Sequence, residues 1–262
     1  MEFENLDFAV SGNVATITLN RPDAFNAFNV ALAREVMEAA THCDSNPDIR
    51  AVLINATGRM FCAGGDLTEI SGAPAGAPET VTLITTYLHA AIARFTRMNA
   101  PVIMAVQGAA AGAGMSLICG GDIVIAARGA RFTMAYTAIG LPPDGGGSYF
   151  LPRVVGLRRA QELILTNRRL SADEALDWGL VTEVVADDEL AGRAVALASD
   201  LASGPTQAYG AAKRLLADTL SNSLETQMEL ETRAIAGAAA GADSAGAIKA
   251  FLGKQTPTFS GR

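Results

Sequence analysis

An α/β fold with one large core is what the apolar pattern of this chain predicts, and three observations carry the prediction. Short apolar runs alternate with longer segments of helical spacing, the order expected when helices connect the strands of one sheet. Glycine turns stand where strand-like runs pass into helix-like ones, most clearly in FCAGGDL (61–67) and GAGMSLI (112–118). From about Gly204 onward the strand-like runs stop and only helical spacing remains. The chain therefore divides into a core over residues 1–200 and a helical C-terminal segment over residues 201–262. The apolar positions of that segment need cover from the core or from another subunit.

The elements follow in order. VATITL (14–19) alternates in strand fashion after a Gly12–Asn13 turn, which makes an early hairpin. RPDAFNAFN (21–29) is a loop into an amphipathic helix over residues 30–43, with Asn29 as its N-cap. IRAVLIN (49–55), between Pro47 and Thr57–Gly58, suits a buried strand. SGAPAGAP (71–78) has the composition of a surface loop. A long helix is expected over residues 79–98, then the apolar strand PVIMAV (101–106) and further strands near 122–126 and 131–134. Two short helices follow over 158–166 and 172–178, the second opened by Ser171 with Glu174 at capping-box spacing. Pro205 marks a helix start, and alanine-rich helical spacing runs on to Leu252.

Composition narrows the functions available. Half of the 262 residues are hydrophobic, yet no apolar run approaches the roughly 18 residues of a membrane span. The opening MEFENLDFAV is acidic and lacks the basic and apolar regions of a signal peptide, so a cytoplasmic location is expected. A net charge of −7 argues against a nucleic-acid surface but leaves room for a local basic patch facing a phosphate-bearing small molecule. Cys43, Cys62 and Cys119 form neither a disulfide framework nor a metal spacing. With His42 and His89 as the only histidines, no histidine-rich metal site is expected.

The chemistry-bearing stretch is residues 107–156. It holds no good nucleophile, metal ligand or phosphate-binding lysine, but it has a glycine/alanine turn before a helix and one carboxylate, Asp144, beside three glycines. Backbone N–H groups at a helix start are unsatisfied, and two such turns brought together would form an oxyanion hole from backbone alone. The alternative is that the glycines only permit tight packing. GAGMS lacks the third glycine and the downstream acid of a dinucleotide fingerprint. Ser116 has no His–Asp partners at a recognisable spacing. Asp144 is either a turn residue bonding local N–H groups or a general acid/base. His89 and Tyr136 either line a pocket or pack. Asp66 and Glu69 are first-turn helix acids, and Arg128, Arg131, Arg158, Arg159, Arg168 and Arg169 are solvated.

Taken in order, NRPDAFNAFN, FCAGGDL, PVIMAVQGAAAGAG, GGDIVIA, IGLPPDGGGSYFLPRVVG, LSADEALDWGLVTEVV and AFLGKQTPTFSG resemble the crotonase (enoyl-CoA hydratase/isomerase) superfamily over nearly the whole chain. The resemblance implies a spiral of repeated ββα units with a C-terminal helical trimerisation segment, giving a homotrimer or dimer of trimers. It implies an acyl-CoA substrate, with no cofactor beyond the coenzyme A of the substrate itself. Carried over by motif, the oxyanion hole consists of the Gly65 and Ala113 N–H groups. Ala24, Phe25, Asp66 and Leu67 match positions along the coenzyme A, and Phe251 and Lys254 match positions that contact the coenzyme A of a neighbouring subunit.

The departures narrow the chemistry. The two glutamates with which hydratases of the family add water fall on Ser116 and Tyr136, so water addition is not expected. Asp144 falls where several isomerases and the chlorobenzoyl-CoA dehalogenases carry their single acid. The motifs resemble most the isomerases that act on 1,2-epoxyphenylacetyl-CoA. The resemblance thus implies an isomerase that shifts 3-enoyl-CoA to 2-enoyl-CoA, or rearranges a ring-epoxide acyl-CoA, with Asp144 as proton shuttle. His89, Ser116 and Tyr136 are pocket candidates. Two alternatives stay open: a dehalogenase-like hydrolysis with Asp144 as nucleophile, and a catalytically silent binding protein of the same fold.

Overall fold

The computed structural model describes residues 1–74 and 76–261. In chain order its elements begin with β1 (Leu6–Ser11), β2 (Val14–Leu19), α1 (Val30–Ser45), β3 (Ala51–Ala56), α2 (Leu67–Gly72) and α3 (Ala77–Arg97). Then come β4 (Val102–Val106), β5 (Ala109–Ala111), α4 (Ala113–Cys119), β6 (Ile123–Ala127), β7 (Arg131–Thr133), α5 (Gly147–Val155) and α6 (Leu157–Thr166). The chain closes with β8 (Leu170–Ser171), α7 (Ala172–Asp177), β9 (Glu183–Val185), α8 (Leu190–Ala202), α9 (Thr206–Asp218), α10 (Leu224–Ala239) and α11 (Ala242–Leu252).

Six strands form one sheet in the order β1-β2-β3-β4-β6-β9, antiparallel only in the β1–β2 hairpin. Successive side chains of a strand point to opposite faces, and here both faces are buried. Val52, Ile54, Val102, Met104, Val106 and Val124 join the core that contains Leu32 and Val36 of α1 and Leu88 and Phe95 of α3. Leu53, Ile103 and Ile125 face the other way, onto Leu190, Ala194, Ala198 and Ala202 of α8. That helix is a stripe at fourfold spacing, and its alanines let the helix lie close on the sheet.

A second, smaller layer explains the spiral. β5, β7 and β8 form a three-stranded sheet, and single parallel bridges Phe28↔Gly65 and Cys62↔Ala110 extend the same row. Four strands of the large sheet thus run on into the small layer and then into a helix: β2 to Phe28 to α1, β3 to Cys62 to α2, β4 to β5 to α4, β6 to β7 to α5. These are the repeated ββα units that the resemblance implies.

Several expected elements move. α3 begins at Ala77, because Pro78 is compatible with a first helical turn. With α2 reaching Gly72, the expected loop over 71–78 shrinks at both ends, and Ala75 at its centre lies outside the described residues. β5, β9, α5 and α8 have no counterpart among the expected elements. β5 is only three alanines, and α5 carries Pro152 inside it, which removes one helical hydrogen bond and reads in the sequence as a helix breaker. Asn29 caps α1 as expected, its side chain accepting from the Leu32 N–H at 2.8 Å, and the Ser171–Glu174 capping box forms.

The C-terminal helices divide. α9 is tied to the core by Lys213, whose ammonium sits 2.6 Å from Asp122. α10 and α11 contain no buried residue. Among the described residues no helix is long and apolar enough to cross a membrane.

Candidate functional site

The two glycine turns meet, and the strand register is the reason. Cys62 pairs in parallel with Ala110, so the residues three further on, Gly65 and Ala113, leave the small layer side by side. The approach is close: a side chain on Gly64 would stand 3.1 Å from the Ala111 carbonyl and 3.5 Å from the Ala113 nitrogen. Gly64 and Gly112 also have φ of +106° and +51°, which L side chains rarely adopt. Phe28 donates to the Gly64 carbonyl and accepts from the Asp66 N–H, which turns the Gly65 N–H away from that pairing. Among the described residues neither the Gly65 nor the Ala113 N–H donates to a protein acceptor.

Asp144 is bound to the same helix that Ala113 begins. Ser116, one turn along α4, lies 2.9 Å from the Tyr136 hydroxyl, which donates to Asp144 Oδ1 at 2.5 Å. With its one proton given to Asp144, Tyr136 takes the Ser116 proton in return. Burial, and then the charge of Asp144, push the Tyr136 hydroxyl well above the ordinary phenol range, so it remains a donor. Asp144 itself is half-buried, and its Oδ2 accepts no hydrogen bond among the described residues. The loop that carries it packs on α4: a side chain on Gly147 would come within 2.5 Å of Ser116 Oγ. From α3, His89 accepts the Gly145 N–H at its Nε2, at 2.9 Å. His89 and Gly145 also border a cavity of about 390 Å³ with Ile92, Tyr149 and Phe150.

The expected coenzyme A positions split into two places. Ala24 and Phe25 form the turn before α1, and the Phe25 carbonyl accepts the Ala63 N–H at 3.0 Å, which joins them to the Gly65 turn. The Arg59 guanidinium lies 4.7 Å over the Phe25 ring. Asp66 is the N-cap of α2, not a residue of its first turn: it accepts from Thr68 and Glu69 and pairs with Arg21 at 3.0 Å. Its carboxylate is thereby occupied. Leu67 is exposed beside it, whereas Phe251, 81% exposed, and Lys254 lie at the end of α11, outside this cluster. Ser116, Tyr136, Asp144 and His89 are thus brought together, and so are Gly65, Ala113, Ala24, Phe25, Asp66 and Leu67.

Pattern reading overlooked the basic residues of this rim, Arg21 and Arg59; the available signal was that Arg21 opens RPDAFNAFN and Arg59 stands just before FCAGGDL. It also missed the Tyr136–Asp144 and His89–Gly145 bonds, which no local spacing announces. Among the described residues no group of three or more His, Cys, Asp or Glu is placed to hold a metal ion.

A family profile described as enoyl-CoA hydratase/isomerase matches residues 9–262. The chain is 41% identical over 254 residues to the 1,2-epoxyphenylacetyl-CoA isomerase of Escherichia coli (strain K12), covering 97% of each chain. It is 35% identical to the 4-chlorobenzoyl coenzyme A dehalogenase-2 of Arthrobacter sp, over 84% of this chain and 80% of that one. The crystal structure of an enoyl-CoA hydratase from Bacillus anthracis superposes with a TM-score of 0.92 at 32% identity, covering 99% of this chain and 100% of that one.

Proposed function

The chain belongs to the enoyl-CoA hydratase/isomerase family, and on that premise we propose that it is an isomerase of acyl-CoA thioesters. The thioester carbonyl binds the Gly65 and Ala113 N–H groups, which stabilise the oxygen as it takes up charge. Asp144 removes a proton from one carbon of the acyl group and returns it to another. Proton movement of this kind shifts 3-enoyl-CoA to 2-enoyl-CoA and is compatible with rearranging a ring-epoxide acyl-CoA. The coenzyme A lies along Ala24, Phe25 and the Asp66–Leu67 backbone. Phe251 and Lys254 reach it from a neighbouring copy in a cytoplasmic trimer or dimer of trimers, and no cofactor takes part.

The observation that carries this reading is the Ser116–Tyr136–Asp144 chain. The two positions at which the resemblance places hydratase glutamates hold hydroxyls bonded to each other, and the carboxylate they serve is Asp144. One base with one free oxygen suits a proton shuttle better than the concerted addition of water. The similarity to a dehalogenase favours a second reading, in which Asp144 Oδ2 attacks an aromatic ring.

A panel of 3-enoyl, 2-enoyl, epoxyphenylacetyl and 4-chlorobenzoyl-CoA thioesters, assayed for consumption by the wild type and by Asp144→Asn, tests both readings. Isomerisation that Asp144→Asn abolishes while acyl-CoA binding persists is the expected result. Isomerisation retained by Asp144→Asn removes the shuttle, and chloride release identifies the nucleophile.

A further inference from the structure

The loop that presents Asp144 is poor in means of holding itself. Gly145 and Gly146 have φ of +57° and +74°, and Gly147 follows, so three residues in a row have no side chain with which to anchor the backbone. Glycine has the widest conformational freedom of any residue, so such a loop depends on what binds it from outside. Within the turn, the Gly147 N–H donates to the Asp144 carbonyl at 2.8 Å. From outside, two hydrogen bonds flank the carboxylate: Tyr136 holds Oδ1, and His89 accepts the N–H of the very next residue.

Resting on the reading of Asp144 as the reacting group, we infer that His89 is a positioning residue whose neutral imidazole fixes the backbone from which the Asp144 carboxylate projects. To accept from Gly145, Nε2 must carry a lone pair, which places the imidazole proton on Nδ1. Nε2 is therefore engaged and not free to activate a water molecule. His89 lies on the 390 Å³ cavity and is exposed there, so protons reach it from solvent. Protonation turns Nε2 from acceptor to donor, sets two N–H groups against each other and releases the loop. The charged and titratable groups of the loop and cavity that His89 faces are Asp144 in the loop itself, with Tyr136 bound to it, and Arg97, which lines the cavity from α3. Tyr149 of α5 also borders the cavity, with the Arg153 guanidinium 3.5 Å over its ring, while α9 brings only the uncharged Ala217. A loop released from its tie still binds acyl-CoA, because the oxyanion donors stand on other segments. What it loses is the alignment of Oδ2 with the acyl carbon.

The test compares wild type, His89→Gln, His89→Leu and Asp144→Asn by kcat and KM across acidic to neutral pH, with hydrogen–deuterium exchange over residues 140–150. A misplaced catalytic group costs up to about a hundredfold, so His89→Leu should lower kcat by about tenfold to a hundredfold with KM within about twofold. His89→Gln, whose amide oxygen can accept the same N–H, should recover most of kcat and keep it at acid pH, where protonation of His89 should slow the wild type. Exchange over 140–150 should be faster in His89→Leu than in His89→Gln. Wild-type kcat in His89→Leu, or a His89→Gln as slow as His89→Leu with unchanged exchange, overturns the inference. Activity retained by Asp144→Asn instead overturns the assignment of Asp144, and an inactive Asp144→Asn beside a fully active His89→Leu removes His89 alone.

Discussion

Helix α4 and the pair α10–α11 all carry large apolar side chains, yet the environments of those side chains are opposite. Every residue of α4, AGMSLIC, is buried, whereas no residue of α10 or α11 is. The difference lies in what the spiral wraps around each segment. α4 starts where β5 ends, between the two layers, with the FCAGGD turn on one side and the Asp144 loop on the other. α10 and α11 come after the last strand and have no sheet to lie on. Their apolar residues, Leu224, Met228 and Ile235 on one and Ile248, Phe251 and Leu252 on the other, remain exposed. For these apolar side chains burial follows topology as well as the composition of the helix that carries them.

Helix α9 stands between these extremes, and breaking its anchor has the largest expected effect. Lys213 meets Asp122 at 2.6 Å and also donates to the carbonyls of Phe95 and Ala100, while Asp122 accepts the Val102 N–H at 2.7 Å. Burial pushes the Lys213 ammonium down and the Asp122 carboxyl up, so each charge is sustained mainly by the other. Removing one partner leaves the other charged and unpaired. Lys213→Met should therefore cost about 3–5 kcal/mol in denaturant unfolding. The double variant Asp122→Leu/Lys213→Met should recover part of the loss. A single-variant loss below about 1 kcal/mol would mean that apolar packing, not the pair, holds α9.

The next test goes to the buried side of the comparison. Ala113 is the first residue of α4, a position where proline is well tolerated and where the N–H has no helical partner. Ala113→Pro thus deletes one donor with little change in the helix. Loss of one oxyanion donor lowers kcat by about 100–1000-fold, and that is the expected outcome with 3-enoyl-CoA. Stability should stay level or rise by up to about 1 kcal/mol, since proline restricts the unfolded chain. Turnover within about threefold of wild type would exclude Ala113 from the oxyanion hole.

Legibility in the sequence followed the same divide between local and distant causes. The Asn29 cap, the Ser171–Glu174 box and the long strands β3 and β4 rest on neighbours within a few residues, and they formed as expected. β5 is a strand only because Cys62 and β7 flank it, and three alanines announce no period of their own. α8 hides its face in alanines, which weigh little in an apolar pattern although they pack directly on the sheet. The glycine turns at Gly65 and Ala113 were visible as motifs, but what joins them is the Cys62–Ala110 pairing. Asp144 was visible as an acid among glycines. Its bond to Tyr136 depends on how the chain bends after β7, where Ala135 takes a φ of +53°.

The smallest effect on the chain itself, and the sharpest test of the exposed side, is expected from Ile235→Glu. Ile235 is 72% exposed on α10, on the same stripe as Leu224 and Met228. In an isolated chain such a substitution changes stability by no more than about 0.5 kcal/mol. If another copy covers the stripe, as the proposed trimer requires, the glutamate must be buried unpaired against apolar residues, and assembly fails. Light scattering should then show a mass of several chains for wild type and of one chain for Ile235→Glu, with circular dichroism unchanged. A wild type that is already monomeric, or a variant of unchanged mass, would leave α10 exposed in solution as it is in the single chain. The cover on this helix would then have to come from a different kind of partner, and the contrast with α4 would no longer be one between a core and a subunit interface.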